Sequence, residues 1–277
     1  MASSERIFGL LDRKEEVLDP VSPVQLDGLK GALEFKGVWF SYEPQGPETR
    51  WVLKGLDFQI QPGERVAVVG PTGAGKTSLV SALYRFYPIQ RGDILLDGLS
   101  TLSMRRRDFR RKMSLVPQDP FLFSGSVLEN LRLSDASVSR EKVEWACRQT
   151  QAHAFIAALP GAYDFELREG GANLSTGQKQ LLAFARALVF EPAILVLDEA
   201  TASVDTQTEL EIQTALEALL RGRTSLTVAH RLSTVMRSDR ILVIKDGELA
   251  EQGSHEALMA LNGVYRGLIE LQFKEVA

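Results

Sequence analysis

The segment RVAVVGPTGAGKTSLVSAL, residues 65–83, constrains the fold of this chain more than any other. It begins with an unbroken apolar run, which is typical of a strand buried on both faces. GPTGAGKT follows directly and matches the pattern G-x-x-x-x-G-K-[ST] in full. The remaining residues have the pattern of a helix. A buried strand, a glycine-rich loop and a helix in this order predict the phosphate-binding unit of a parallel α/β sheet.

Each part of this loop has a predicted role in holding phosphate. The glycines let backbone N–H groups converge on a β-phosphate, and the start of the helix adds its positive end. The ammonium of Lys76 is expected to reach the β- and γ-phosphates, and the hydroxyl of Thr77 to bind Mg²⁺. The predicted nucleotide-binding residues of the loop are Gly70, Pro71, Thr72, Gly73, Ala74, Gly75, Lys76, Thr77 and Ser78.

A second apolar run, AILVLDEA at residues 193–200, ends in two carboxylates, Asp198 and Glu199. Alone this ending is weak evidence, because plain strands also end in acidic residues. Beside a phosphate-binding loop it predicts that Asp198 holds Mg²⁺ through the water shell of the metal. Glu199 is then placed to polarise a water that attacks the γ-phosphate.

Other segments extend this unit into an α/β fold. Buried-strand patterns separated mostly by helical ones predict a P-loop NTPase core with a mostly parallel sheet; they are MSLVP, AILVLDE, TSLTVAH and RILVIKDG. LEFKGVWFSY and LKGLDFQI alternate apolar and polar residues, which predicts an antiparallel β layer at the N-terminal side. Residues 119–190 are mostly helical in pattern and predict an inserted helical subdomain.

The charge balance argues against a nucleic-acid partner. Lys and Arg total 32 against 36 Asp and Glu, a net charge of −4, whereas nucleic-acid-binding domains usually show a basic excess. The basic cluster RRRDFRRK, residues 105–112, is interpreted as a solvated face, with contact to lipid headgroups or a membrane-domain loop as the alternative. No apolar run approaches the roughly 18 residues of a membrane span. We therefore expect this chain to be soluble.

This combination resembles the nucleotide-binding domain of an ABC transporter, over about residues 33–273. The glycine-rich loop resembles the Walker A motif, and Asp198 with Glu199 resembles the end of the Walker B strand. The resemblance implies that ATP and Mg²⁺ are bound and that Glu199 is the catalytic base. His230, in TVAHRLSTV, resembles the switch histidine that hydrogen-bonds the γ-phosphate.

Three further segments carry the resemblance. Gln118, in VPQDPFLFSG, resembles the Q-loop glutamine, which implies contacts to Mg²⁺ and water and a position facing the transmembrane part. Tyr42, in FSYEP, resembles the A-loop aromatic that stacks on adenine, and Asp205 ends a segment that resembles the D-loop. The implied metal ligands are therefore Thr77, Gln118 and Asp198.

The segment NLSTGQKQLLAFARAL, residues 173–188, has the pattern of a helix with its start signal. Ser175 fits an N-cap, Gln178 completes a capping box, and Gly177 lets something approach the backbone closely. LSTGQ resembles the signature motif LSGGQ, through which two such domains pair head to tail. The resemblance implies that Ser175, Gly177 and Gln178 bind the ATP that a second domain holds. ATP binding then joins the domains and hydrolysis releases them.

Thr176 departs from the glycine that is common in the signature motif. Because the signature acts on the partner's nucleotide, Thr176 affects the partner's site, whereas Glu199 serves the site of its own chain. Two arrangements stay open: a heterodimer with a different domain, and a homodimer in which the threonine is tolerated.

Several segments favour an exporter. HRLSTV and FLFSGSVLENL resemble exporter sequences, as does the start of the chain, where ERIFGLLD precedes a proline-containing linker. Residues 1–32 are then expected to be a helix and linker remaining from a transmembrane domain, ahead of the nucleotide-binding domain. The implied function is ATP hydrolysis that drives export, with the transmembrane domains of the same transporter as partners. We expect the domain on the cytoplasmic side of a membrane, the inner membrane if the cell is bacterial.

Two other function classes compete with this interpretation. A soluble ABC ATPase that acts on chromosomes, DNA repair or ribosomes would have a split or duplicated domain, which this sequence lacks. A nucleotide-binding regulator without hydrolysis would have a defective catalytic set, and Glu199 and His230 argue against that.

Overall fold

The described residues form a six-stranded, a four-stranded and a two-stranded sheet together with helices, and the strand that precedes the glycine-rich loop lies within the six-stranded sheet. The computed structural model describes residues 8, 17–26, 28–44, 46–198 and 206–272. Its strands are β1 (Leu33–Phe40), β2 (Leu53–Ile60), β3 (Arg65–Val69), β4 (Arg91–Leu96), β5 (Leu99–Ser100), β6 (Met113–Val116), β7 (Gly125–Ser126), β8 (Glu166–Leu167), β9 (Ile194–Asp198), β10 (Thr224–Val228), β11 (Arg240–Lys245) and β12 (Glu248–Gly253).

Helices connect many of these strands. The α-helices are α1 (Lys76–Leu83), α2 (Arg106–Arg111), α3 (Val127–Arg132), α4 (Arg140–Gln149), α5 (Ala152–Ala158), α6 (Thr176–Val189), α7 (Thr206–Leu220), α8 (Leu232–Met236), α9 (His255–Leu261) and α10 (Val264–Gln272). Within the described ranges, no helix is both long enough and apolar enough to cross a bilayer.

The central sheet has six strands in the order β12-β11-β3-β10-β9-β6. The five strands from β11 to β6 are parallel to their neighbours, and β12 joins β11 in antiparallel pairing. Residues 226 and 228 of β10 pack on the α1 side of the sheet, in the core that includes Leu79 and Leu83. The predicted P-loop core with a mostly parallel sheet is confirmed.

The second sheet is antiparallel, with the strand order β2-β1-β4-β5. Alternate residues of β1 and β2 face the shared core, where the rings of Phe35 and Phe58 stack with centroids 4.6 Å apart. This confirms the predicted antiparallel layer. β4 was not predicted, because the sequence RGDILL has no alternating pattern.

Helices α3 to α6 lie between β6 and β9, as the predicted insertion requires. Serine residues start several of them: Ser126 forms a capping box with Glu129 at α3, and Ser139 caps α4. These helices enclose a second core in which Leu182 and the lone cysteine, Cys147, are fully buried.

Residues 17–26 are attached to the core at the end of α1. Arg85 lies just beyond α1, is only 4% exposed and donates Nη1 hydrogen bonds to the carbonyl oxygens of Thr101 (2.8 Å) and Met104 (2.9 Å). Its Nη2 donates to the carbonyl oxygen of Leu18 (2.9 Å). The linker is therefore held by a buried cation rather than by apolar contact alone.

The basic cluster of residues 105–112 is solvated in part, since Arg105, Arg107 and Arg111 are exposed, but two of its arginines also bind distant partners. Arg110 donates to the carbonyl oxygens of Tyr84 (2.8 Å) and Arg85 (2.9 Å). Arg106 donates from Nε to the Asp19 carboxylate at 3.1 Å. These partners are distant in sequence, and a local charge pattern therefore gives no sign of them.

Candidate functional site

The glycine-rich loop connects β3 to α1, as the sequence predicts. A Cβ atom at Gly70 would lie 2.1 Å from the carbonyl oxygen of Ile244, and one at Gly75 would lie 2.9 Å from a side-chain carbon in β2. Gly75 also has a φ of +104° at the N-cap of α1, and Gly73 has a φ of +80°, values that other residues rarely adopt. The loop therefore needs glycine both for close packing and for its backbone path.

The ammonium of Lys76 is held within this loop. Its Nζ donates hydrogen bonds to the carbonyl oxygens of Gly70 (2.7 Å) and Pro71 (3.0 Å). The first N–H groups of α1 have no partners within the helix, and Thr77 is exposed beside them. The loop thus combines an ammonium, helix-start N–H groups and a hydroxyl, which are the groups that bind phosphate oxygens.

Neighbouring strands bring the other predicted residues to the same edge of the central sheet. β10 ends at Val228, which pairs in register with Asp198 at the end of β9. His230 follows β10 closely, and Gln118 follows β6, the parallel neighbour of β9. Because parallel strands end at the same edge, Gln118, Asp198 and His230 lie at the edge where the glycine-rich loop begins.

Lys76, Asp198 and His230 interact electrostatically. Burial raises the pKa of Asp198, and His230 and Lys76 both oppose that shift. Burial lowers the pKa of Lys76, and Asp198 opposes this. His230 has an exposed surface, but enough protein surrounds its ring to lower its pKa, and Lys76 lowers it further. His230 is therefore neutral near pH 7, with one ring nitrogen as donor and the other as acceptor.

An aromatic group lies beside the start of α1. The hydroxyls of Tyr42 and Ser78 are hydrogen-bonded at 3.0 Å, and Tyr87 packs edge-on against the Tyr42 ring with centroids 4.9 Å apart. Tyr42 is 43% exposed and Tyr87 is 41% exposed, so both rings offer surface to a ligand. Tyr87 was not predicted, although the run YRFYP directly after α1 was an available signal.

The signature segment starts α6 as predicted. The Gln178 N–H donates to Ser175 Oγ (3.2 Å), and the Ser175 N–H donates to Gln178 Oε1 (3.0 Å), so the capping box is confirmed. Ser175 and Thr176 are exposed, whereas Gly177 is buried. A Cβ atom at Gly177 would lie 2.2 Å from Thr208 Cγ2, so α7 of the same chain makes a close approach to this glycine.

The segment that follows Gln118 is held by α6 and by α3, the helix that contains Asn130. Arg186 of α6 donates to the carbonyl oxygen of Phe121 (2.8 Å), and Asn130 bonds both the N–H (2.8 Å) and the carbonyl (2.9 Å) of Phe123. The two phenylalanine rings are more than half exposed and pack edge to face at 5.1 Å. Residues 121–123 therefore connect the Gln118 region to α6.

The structure brings Lys76, Asp198 and His230 together and leaves the signature residues apart from them. Among the described residues, no hydrogen bond joins residues 175–178 to the glycine-rich loop. Glu199 and Asp205 lie outside the described residues, so their roles stay predictions. The described part of the chain also contains no group of three or more His, Cys, Asp or Glu side chains arranged to hold a metal.

A sequence profile of the ABC transporter family matches residues 53–202. A probable multidrug resistance ABC transporter ATP-binding/permease protein of Bacillus subtilis, YheH, is 46% identical over 272 residues, which are 98% of this chain and 39% of that protein. An ATP-dependent lipid A-core flippase of Chromohalobacter salexigens is 42% identical over 276 residues, 99% of this chain and 47% of the flippase. The chain spans less than half the length of these curated relatives.

A solved structure supports the same relationship. A bacterial Atm1-family ABC exporter with ATP bound superposes with a TM-score of 0.88 at 39% identity, over 100% of this chain and 48% of the exporter chain. The family profile also spans the glycine-rich loop and the strand that ends at Asp198. The chain therefore belongs to the ABC transporter family, as one of its ATPase domains.

Proposed function

We propose that this chain binds and hydrolyses ATP as the nucleotide-binding domain of an ABC exporter, and that hydrolysis drives export of a substrate across a membrane. The observation that carries the proposal is the cluster of Lys76, Asp198 and His230 at the start of the glycine-rich loop. The names of the relatives, a multidrug resistance protein and a flippase, support the export step.

ATP would lie along the loop with its adenine toward Tyr42. The exposed ring of Tyr42 is held in place by its hydrogen bond to Ser78 and offers a stacking surface. The N–H groups at the start of α1 bind the phosphates, and Lys76 moves its ammonium from the loop carbonyls to the phosphate oxygens. The neutral ring of His230 hydrogen-bonds the γ-phosphate.

The oxygen atoms near the loop fit Mg²⁺. Thr77 offers an exposed hydroxyl, Gln118 an exposed amide and Asp198 a carboxylate, all of which are oxygen ligands of the kind that hard cations prefer. Mg²⁺, when bound, would neutralise charge on the phosphates. Glu199, one residue beyond β9, is proposed as the base that takes a proton from the attacking water.

The signature residues are proposed to act on a second domain. Ser175, Gly177 and Gln178 start α6 and make no hydrogen bond to the glycine-rich loop within the described ranges. In a head-to-tail dimer, the start of α6 and Asp205 would face the ATP of the partner domain. The partner is a second nucleotide-binding domain, either another copy or a different chain.

The transmembrane domains of the transporter are the second proposed partner. Residues 121–123 carry two exposed phenylalanine rings and link Gln118 to α6, which supports this segment as the contact that transmits closure of the dimer. Residues 1–32 would lead to these domains. The ATPase domain would then work on the cytoplasmic side of the membrane.

The testing experiment measures ATP turnover and solution mass of wild type and Glu199→Gln. The variant is expected to lose at least about 100-fold in turnover while keeping its ATP affinity, because only proton transfer is removed. It should also form a dimer in Mg-ATP that disperses without nucleotide. Glu191→Gln is the matched control, since Glu191 is an exposed residue that pairs with Lys142 at 2.7 Å. Unchanged turnover in Glu199→Gln would refute its assignment as the base.

A further inference from the structure

A cavity of about 380 Å³ lies on the face of the central sheet opposite α1. It is bounded by β10, by one face of α7, and by α8 and the segment that follows it. Ile212, Leu216 and Leu220 of α7 line it at four-residue intervals, so they form one apolar stripe. The volume falls within the range of roughly 300–1,000 Å³ that is typical of small-molecule sites.

The strand opposite this apolar stripe presents hydroxyl groups. Ser225 and Thr227 point to the same side of β10 and line the cavity, although the residues are only 1% and 4% exposed. In the part of the chain that the structure describes, neither hydroxyl has a hydrogen-bond partner. Neither hydroxyl oxygen is completely enclosed by protein, so both can hydrogen-bond to a polar group of a ligand or to water in the cavity.

Cations are concentrated at one end of the cavity. Arg65 is the register neighbour of Ser225 in β3, and Arg221 lies in the turn between α7 and β10. Both line the cavity, and neither guanidinium forms a salt bridge or side-chain hydrogen bond among the described residues. Arg237 also lines it but is paired with Glu217. Two arginine side chains therefore remain available to an anion at this end.

We propose that this cavity binds a small amphipathic organic anion, such as a medium-chain carboxylate or an aromatic sulfonate. The apolar body lies against the stripe on α7, and the anionic group binds Arg65 and Arg221. Ser225 and Thr227 hydrogen-bond to polar atoms of the ligand or to water beside it. The cavity lies on the opposite face of the sheet from α1 and reaches Asp198 at the end away from Arg65, so its ligand borders the proposed Mg²⁺ site without occupying the phosphate-binding loop.

The test uses 8-anilinonaphthalene-1-sulfonate as a fluorescent probe, in saturating Mg-ATP so that the nucleotide site is filled. We expect saturable binding of one probe per chain and displacement by decanoate. Leu216→Phe, which fills the cavity, should weaken probe binding at least tenfold. Leu210→Phe is the matched control, because Leu210 is on the same helix but is 59% exposed and does not line the cavity.

Arg65→Gln provides an independent variant that leaves the apolar packing intact. We expect about tenfold weaker probe binding, while Arg50→Gln, at an exposed arginine away from the cavity, should have no effect. The proposal is overturned if the probe binds without saturation, or if ATP displaces it. It is also overturned if Arg65→Gln and a folded Leu216→Phe both bind the probe like wild type. Absence of any probe or decanoate binding would mean that the cavity holds only water.

Discussion

Gly177→Ala tests whether close packing of α6 against α7 requires glycine at the start of the signature helix. In Gly177→Ala, the new Cβ would lie 2.2 Å from Thr208 Cγ2, whereas nonbonded carbon atoms pack at about 3.5–4.0 Å. Either α6 and α7 move apart by about 1.5 Å or Thr208 changes its rotamer. Forced overpacking of this kind costs about 1–3 kcal/mol. Alanine is favoured over glycine in a helix by up to about 1 kcal/mol, so we expect net destabilisation of about 1–2 kcal/mol.

The size of the destabilisation by Gly177→Ala depends on one methyl group of Thr208, its Cγ2. The next atom of Thr208, its Cβ, would lie 3.6 Å from the new Cβ, which is an ordinary contact. Thr208→Ala therefore removes the clash without touching α6. In that background, Gly177→Ala should be neutral or should stabilise the protein by up to about 1 kcal/mol. The coupling between the two sites is expected to be about 1–3 kcal/mol.

The assay is urea unfolding of wild type, the two single variants and the double variant, followed by circular dichroism. Equal destabilisation by Gly177→Ala in both backgrounds would refute the packing explanation. ATP-dependent dimerisation of the double variant then separates the two roles of the glycine. If the double variant is stable and still dimerises, Gly177 is needed only to pack against α7. If it is stable but stays monomeric, Gly177 is also needed to bind the nucleotide of the partner.

Three further predictions concern Tyr42, Arg85 and His230. Tyr42→Ala should weaken ATP binding about tenfold, as loss of base stacking predicts, while Tyr42→Phe should stay close to wild type in a fluorescent-nucleotide titration. Arg85→Ala should lower the free energy of unfolding by about 2–4 kcal/mol and make residues 17–26 sensitive to protease, because three carbonyl oxygens lose a buried donor. The pKa of His230 is lower in the native state than its ordinary value of 6.5, so the native state binds fewer protons than the unfolded state at low pH. The free energy of unfolding should therefore fall as the pH drops below 6.5. Urea unfolding at several pH values should show a smaller fall for His230→Gln.

Local sequence patterns were enough to predict the main parts of the candidate site. The loop of residues 70–77, the strand that ends at Asp198 and the capping box at Ser175 each depend on neighbouring residues, and the structure contains all three. Contacts between distant segments could not be predicted in this way. Gly70 and Gly177 were interpreted through phosphate binding, yet each also packs against a distant residue of the same chain, Ile244 and Thr208 respectively.

The contact between Gly177 and Thr208 links the helix that follows Asp198 to the residues proposed to bind the nucleotide of the partner. α7 begins at Thr206, eight residues after Asp198, and its third residue contacts the start of α6. A displacement of α7 by a change at the chain's own nucleotide would therefore move Ser175 and its neighbours. In the proposed head-to-tail dimer those residues face the nucleotide of the partner, so each site would influence the other through two packed helices. Contact between packed elements is the physical basis that such coupling requires. It predicts that the Gly177→Ala and Thr208→Ala pair changes the cooperativity of ATP hydrolysis in the dimer, measured from the dependence of turnover on ATP concentration.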